Sequence, residues 1–253
     1  MQEITIKPLN LTVSVSNDHI DVVYKKVLPL IPEDWCTRNR EEYGYPNDLV
    51  KCVTDAIWSI NADYVGHVKP VLNRLDDLDL KTPKKFLEHF SDHLNDSGEW
   101  LADEIFKNRQ KTSTSSGLRK SYAIQLTLEI LRNMGISTPA QLLLAIQNKA
   151  LRIALESVPG DRIGVRTDYL FMLAGCDELA KYDRQLNRFL EEIFNAKISP
   201  NAKMRLYSIA LLTGVAERLR EKFPCMNTRS VDRCIWKHMS ETSKLNNKKR
   251  KDD

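Results

Sequence analysis

No apolar run in this 253-residue sequence approaches the roughly 20 residues needed to cross a bilayer, so no membrane partner is expected. The opening MQEITIKPLN also lacks the basic-then-apolar layout of a secretory leader, which points to a cytoplasmic protein. Cysteine is sparse and unclustered. Cys36, Cys52, Cys176, Cys225 and Cys234 stand singly with no CxxC pair, so the expectation is free thiols in a reducing compartment. The same scatter argues against an iron–sulfur cluster. His89 and His93 have the i,i+4 spacing of zinc ligands, but no third histidine or cysteine stands nearby, and neither metal nor organic cofactor is expected. Glycine, proline and serine nowhere form a long linker; the nearest approach is the short TSTSSG stretch from Thr112 to Gly117. There is no internal repeat. Net charge is only +4, which tilts toward a polyanionic partner without requiring one.

What is present reads as a helical protein. Hydrophobic residues make up 42% and charged residues 28%, ordinary for a chain with a continuous core. Residues 4 to 15 (ITIKPLNLTVSV) alternate apolar and polar positions, predicting a short extended N-terminal arm over 1–18. From residue 19 the period becomes helical. Helices are predicted near 19–29, 47–60, 63–75, 83–94, 98–107, 117–133, 139–146, 148–157, 165–174, 182–195, 200–212 and 228–240. Thr82-Pro83, Thr138-Pro139 and Ser199-Pro200 carry helix-start chemistry, Asn47 is a further start signal, and Gly135 ends the helix before it. Residues 242–253, with Lys248, Lys249, Arg250 and Lys251, are expected to fray as a basic disordered tail. Trp58 and Trp236, each flanked by apolar partners, are expected in the core.

The stretch that carries chemistry is LESVPGDRIGVRTDYLFMLAGCDELAKYDRQLNRF, residues 155–189. One helix ends at Val158, Pro159-Gly160 makes a turn, and Gly164 precedes a helix carrying Thr167. Glycines there let backbone approach an anion, and the following helix aims its N–H groups at it. Asp183 opens an amphipathic helix with Leu186, Phe189, Leu190 and Ile193 on its apolar face. A carboxylate in that position is ordinarily a helix cap.

In order and spacing these pieces resemble the helix-hairpin-helix DNA glycosylase superfamily, whose pattern runs roughly LPGVGxxTA, a helix, then VDTHVxRV. Pro159, Gly160, Gly164 and Thr167 fit the hairpin; Asp183, Leu186 and Arg188 fit the second half. Upstream, AIWSINADYV resembles the family's first core helix through Ser59, Asn61, Asp63 and Val65, and Gly117 with Lys120 resembles its linking segment. The chain departs from the pattern in three places. PGDRIG is two residues longer than PGVG, Arg166 stands where bifunctional members carry the Schiff-base lysine, and Tyr182 and Gln185 flank the aspartate in place of valine and histidine.

The resemblance implies a mainly α, two-lobed glycosylase-like fold over 19–241, with the hairpin at 155–170. It implies a monofunctional enzyme, a monomer on double-stranded DNA, that flips a modified or damaged base and hydrolyses its N-glycosidic bond. The DNA could be the cell's own or a foreign, phage genome. Asp183 would balance positive charge developing on the sugar or activate the nucleophile. DNA would be held by Pro159, Gly160, Arg162, Gly164, Arg166, Thr167, Asn61 and Lys120, with Arg109, Lys111 and Arg119 adding charge nearby. Trp58 (alternatively plain core), Tyr169 and Tyr182 would line the base pocket. The alternatives are a catalytically inactive DNA-binding module of the same fold and a helical protein-interaction domain, the latter marked by an exposed apolar patch.

Overall fold

The computed structural model describes residues 1–37, 43–94, 97–113, 117–161 and 163–252. In chain order its regular elements are β1 Gln2–Ile6, β2 Leu11–Val15, α1 Asn17–Val27, α2 Leu49–Trp58, α3 Lys69–Asp76, α4 Pro83–His89, α5 Lys120–Asn133, α6 Pro139–Leu144, α7 Lys149–Ser157, α8 Val165–Ala174, α9 Arg184–Phe194, α10 Ala202–Leu219 and α11 Thr228–Asp252. The chain is mainly helical, with a short two-stranded antiparallel sheet at its N-terminus. It divides into two compact units. Unit 1 is Met1–Glu41 with Asp177–Asp253, and unit 2, Glu42–Cys176, is inserted within its sequence.

In unit 1, β1 and β2 pair from Gln2↔Val15 to Ile6↔Leu11, and Asn10 takes the left-handed turn position at φ 50°. The period-2 pattern turns Ile4, Ile6 and Val15 inward, where they are buried. The expected arm is therefore no free extension: β1 and β2 both pack on α10. Burying each such side chain contributes on the order of 1.5–3 kcal/mol. Gly214 makes the close approach possible, since a Cβ there would stand 2.9 Å from Ile20 Cδ1 and 3.5 Å from Ile4 Cδ1. That also explains why α10 runs through Gly214 instead of stopping near 212. α11 continues past 241 to Asp252, where fraying was expected; lysine and arginine are good helix formers and no glycine or proline interrupts them. Trp236 is 42% exposed on α11, not a core residue.

The cysteine expectation fails at two positions. Cys36 and Cys225, 189 residues apart, form a disulfide with a Cα–Cα distance of 5.7 Å, whereas Cys52, Cys176 and Cys234 are free and buried. Single cysteines far apart in sequence carry no sign of their pairing, which only the tertiary fold creates.

In unit 2, α2 and α8 pack on each other at the centre, and every residue of α8 from Arg166 to Ala174 is buried. The helix starts follow their cap chemistry. Asp48 accepts from the Lys51 amide, one residue later than the predicted cap at Asn47. Thr82 accepts from the Lys85 amide, and Thr138 with Gln141 closes a capping box. No helix among the described residues is long and apolar enough to cross a membrane.

Candidate functional site

The hairpin forms where the sequence places it, but it faces inward. After α7, Pro159 and Gly160 are exposed, and Gly160 has φ 103°. A Cβ at Gly160 would stand 2.9 Å from Thr112 Cβ and 3.1 Å from Ile60 Cδ1, so both conformation and space require glycine. Gly164, buried at φ 80°, opens α8. The amides at that helix start are already occupied. The buried Asp161 carboxylate accepts from Arg166 N at 3.0 Å and Thr167 N at 2.8 Å, and also from the Thr167 hydroxyl. Asp161 is one of the extra hairpin residues, so the departure from PGVG supplies an internal anion where a phosphate was expected.

Arg166 is likewise turned in. Its guanidinium donates to the carbonyls of Leu155 and, at 3.3 Å, Pro159, and lies 3.8 Å from Asp161. At 5% exposed it closes the hairpin and does not reach DNA, correcting the expectation for Arg166 and, through Asp161, for Thr167. Arg162 lies outside the described residues.

Ile60 links the hairpin to the end of α2. Asn61, next in sequence, is exposed and takes the left-handed conformation at φ 47° that asparagine tolerates. Beneath it, Lys120 is 1% exposed and donates to Trp58 O at 2.9 Å, Ile60 O at 2.6 Å and Gln110 Oε1 at 3.1 Å. Burial pushes this ammonium down to about 8. Lys120 thus serves the carbonyls at the end of α2 and is not a phosphate contact. Trp58 is fully buried against Phe106, with ring centroids 4.8 Å apart, so of its two readings the core one holds. Of the DNA-binding residues expected in this unit, Pro159, Gly160 and Asn61 remain exposed. Lys111 is exposed on the neighbouring loop, while Arg109 pairs with Asp103 and Arg119 with Glu99.

Tyr169 belongs to a cluster that sequence reasoning missed. Asp55, 1% exposed in the middle of α2, accepts from Tyr45 OH at 2.9 Å, Ser59 Oγ at 2.7 Å, Tyr64 OH at 3.2 Å and Tyr169 OH at 3.3 Å. Burial and the Asp55 charge push the Tyr45 and Tyr169 hydroxyls well above the usual tyrosine range. Tyr169 is thus committed to this buried carboxylate and does not line a base pocket. The available signal was an aspartate inside the apolar run CVTDAIW with a serine one turn on. Replacing Tyr45 by phenylalanine removes a hydrogen bond to a charged acceptor and should cost about 2 kcal/mol, read by urea unfolding. A change below 0.5 kcal/mol would show that the cluster does not hold Tyr45 to α2.

Unit 1 carries Asp183. It is the N-cap of α9, and its Oδ1 accepts both Gln185 N at 2.8 Å and Leu186 N at 3.2 Å. Its Oδ2 takes no hydrogen bond among the described residues. Tyr182 is buried and donates its hydroxyl to Asn187, so it braces α9 and is not free to line a pocket. A second carboxyl, missed in the sequence because no motif marks it, is Asp232 on α11. It is 8% exposed, and burial with the nearby Asp183 charge pushes it up to about 8, against the Lys181 amide that donates to it. The arrangement offers an anion with one oxygen unspent beside an acid held neutral, the separation of roles that acid–base sites use.

Among the described residues no group of three or more histidine, cysteine or acidic side chains could hold a metal ion. His93 stacks on Trp100 at 3.7 Å and His89 packs edge-on against Phe90. No curated protein and no solved structure matches the chain. A family model described as a domain of unknown function, DUF8548, matches residues 29–240. Because that match spans most of the chain, the protein belongs to the DUF8548 family.

Proposed function

We propose that this protein is a monofunctional DNA glycosylase of the helix-hairpin-helix kind, and that Asp183 is its catalytic carboxylate. The observation that carries the reading is the division of labour within Asp183: Oδ1 alone satisfies the helix cap, which leaves Oδ2 for chemistry. A residue serving only as a cap needs no second oxygen. In the reaction, a modified or damaged base is flipped from double-stranded DNA, since the glycosidic carbon is shielded within the duplex. The C–N bond breaks with its electron pair going to the base, which takes up a proton. Asp183 balances the positive charge left on the sugar, and water adds to that carbon, losing a proton.

The inward-facing hairpin moves the proposed DNA contact from the α8 amides to the exposed Pro159–Gly160 tip, Asn61 and Lys111. It also bears on the chemistry. Arg166 stays protonated and is buried, so no imine forms through that position. Borohydride should therefore trap no protein–DNA adduct during turnover, and a trapped band on a denaturing gel would overturn the monofunctional assignment.

The test of the activity itself is base release. The protein is incubated with cellular DNA and with phage DNA carrying altered bases, and freed bases are identified by mass spectrometry. Release of a base from one of these substrates is the expected result; release from none of them overturns the reading. A helical interaction domain is the second reading, favoured by an apolar groove of about 560 Å³ in unit 1 lined by Leu190, Phe194, Ile198 and Met204.

A further inference from the structure

The segment that presents Asp183 is tied at two points to the first turns of α11. At its start, Arg229 N donates to Asp177 O at 3.1 Å, and the Arg229 guanidinium pairs with the Asp177 carboxylate. At its end, the Lys181 amide donates into Asp232, and Lys181 O accepts from Asp183 N at 2.7 Å. A continuous path of hydrogen bonds thus runs from the Asp232 carboxyl through the Lys181 peptide to the backbone of Asp183. The helices that carry these residues, α9 and α11, pack on each other within unit 1.

We propose that Asp232 is a positioning residue for Asp183: as a neutral acid on α11 it grips the Lys181 amide and so fixes where the unspent oxygen of Asp183 points. The role rests on the glycosylase reading for its use in catalysis, but the grip itself does not. Neutrality matters because an ionised Asp232 would set a second negative charge beside Asp183 in a buried place. The groups acting on Asp232 are Asp183 and the Lys181 amide and ammonium; α10 and α1, which also pack on α11, contribute no charge that acts on it. A carboxyl raised from 3.8 to about 8 binds its proton more tightly in the folded state. The stabilisation it gives is fully present below pH 3.8 and is lost progressively as pH rises to about 8.

Three measurements on the full chain test this. Amide hydrogen exchange in Asp232→Leu, which keeps the bulk but has no acceptor, should lose at least tenfold protection at Lys181 and Asp183. Asp232→Asn, whose amide oxygen can still accept from Lys181, should recover most of it. Thermal melts should show Asp232→Asn gaining on the wild type from pH 4 to pH 8 and holding a constant gap above. On a confirmed DNA substrate, Asp232→Leu should lower kcat by 10- to 100-fold with little change in KM, with partial rescue by asparagine. Retained protection in Asp232→Leu, a melting gap independent of pH, or an unchanged kcat would each overturn the positioning role. Lost protection and a pH-dependent gap in a protein that releases no base would leave the grip standing and overturn the glycosylase reading alone.

Discussion

Asp183→Asn is expected to reduce base release by about 10²–10³-fold while leaving the fold in place. Asparagine keeps the size of aspartate and caps helices about as well, so Gln185 and Leu186 retain their acceptor. A helix cap predicts almost no consequence from this change, within about 0.5 kcal/mol of wild-type stability. Catalysis predicts a large one, because a neutral amide cannot balance charge building on the sugar. Asp183→Ala separates the two roles further: it removes the cap as well, and should lower stability by about 1 kcal/mol in addition to the rate loss. Single-turnover release from a confirmed substrate, beside urea unfolding of the same samples, gives both numbers. Full activity in Asp183→Asn would leave Asp183 as a cap and nothing more.

The parts of this protein that could be read from the sequence are those that local chemistry decides. Helix starts at Thr82, Thr138 and Asn148 follow from side chains that satisfy their own amides, and Gly135 ends α5 at φ 72°. Gly160 and Gly164 take the positive φ values that the hairpin pattern requires. The position of Asp183 at the start of α9 follows in the same way, from one carboxylate ahead of an amphipathic run.

What could not be read is how charged side chains are spent. Arg166 and Lys120 look like phosphate contacts in sequence, because a basic residue in a loop is solvated by default. Both are instead consumed by backbone carbonyls: Leu155 and Pro159 for the arginine, Trp58 and Ile60 for the lysine. Asp161 shows the same effect with opposite sign, filling the anion site that the hairpin pattern advertises. Such partners lie up to 62 residues away, as between Lys120 and Trp58, beyond the reach of any periodicity. The Asp55 cluster is hidden for the same reason, since Tyr45, Tyr64 and Tyr169 come from three separate segments.

The disulfide is the feature most remote from any local pattern, and its removal should have the largest effect on stability. Joining Cys36 to Cys225 closes a loop of 189 residues. Chain-entropy arguments value such a closure at about 5 kcal/mol, and at about 4 if unit 2 stays folded within the loop and shortens its flexible part. Both cysteines belong to unit 1. Reductant, or Cys36→Ser, should therefore lower the unfolding transition of unit 1 and leave the local stability of unit 2 near its original value. Site-resolved hydrogen exchange, with α10 reporting on unit 1 and α8 on unit 2, distinguishes the two. A thiol count supplies the covalent check. Unreduced protein in denaturant should label at 3 cysteines, Cys52, Cys176 and Cys234, and reduced protein at all 5. Reductant should do nothing further to a Cys36→Ser, Cys225→Ser double variant, which isolates the bond from general effects of the reagent. Five reactive thiols before reduction would mean the bond does not form, and the stability of unit 1 would then rest on the packing of α1, α10 and the β1–β2 hairpin alone.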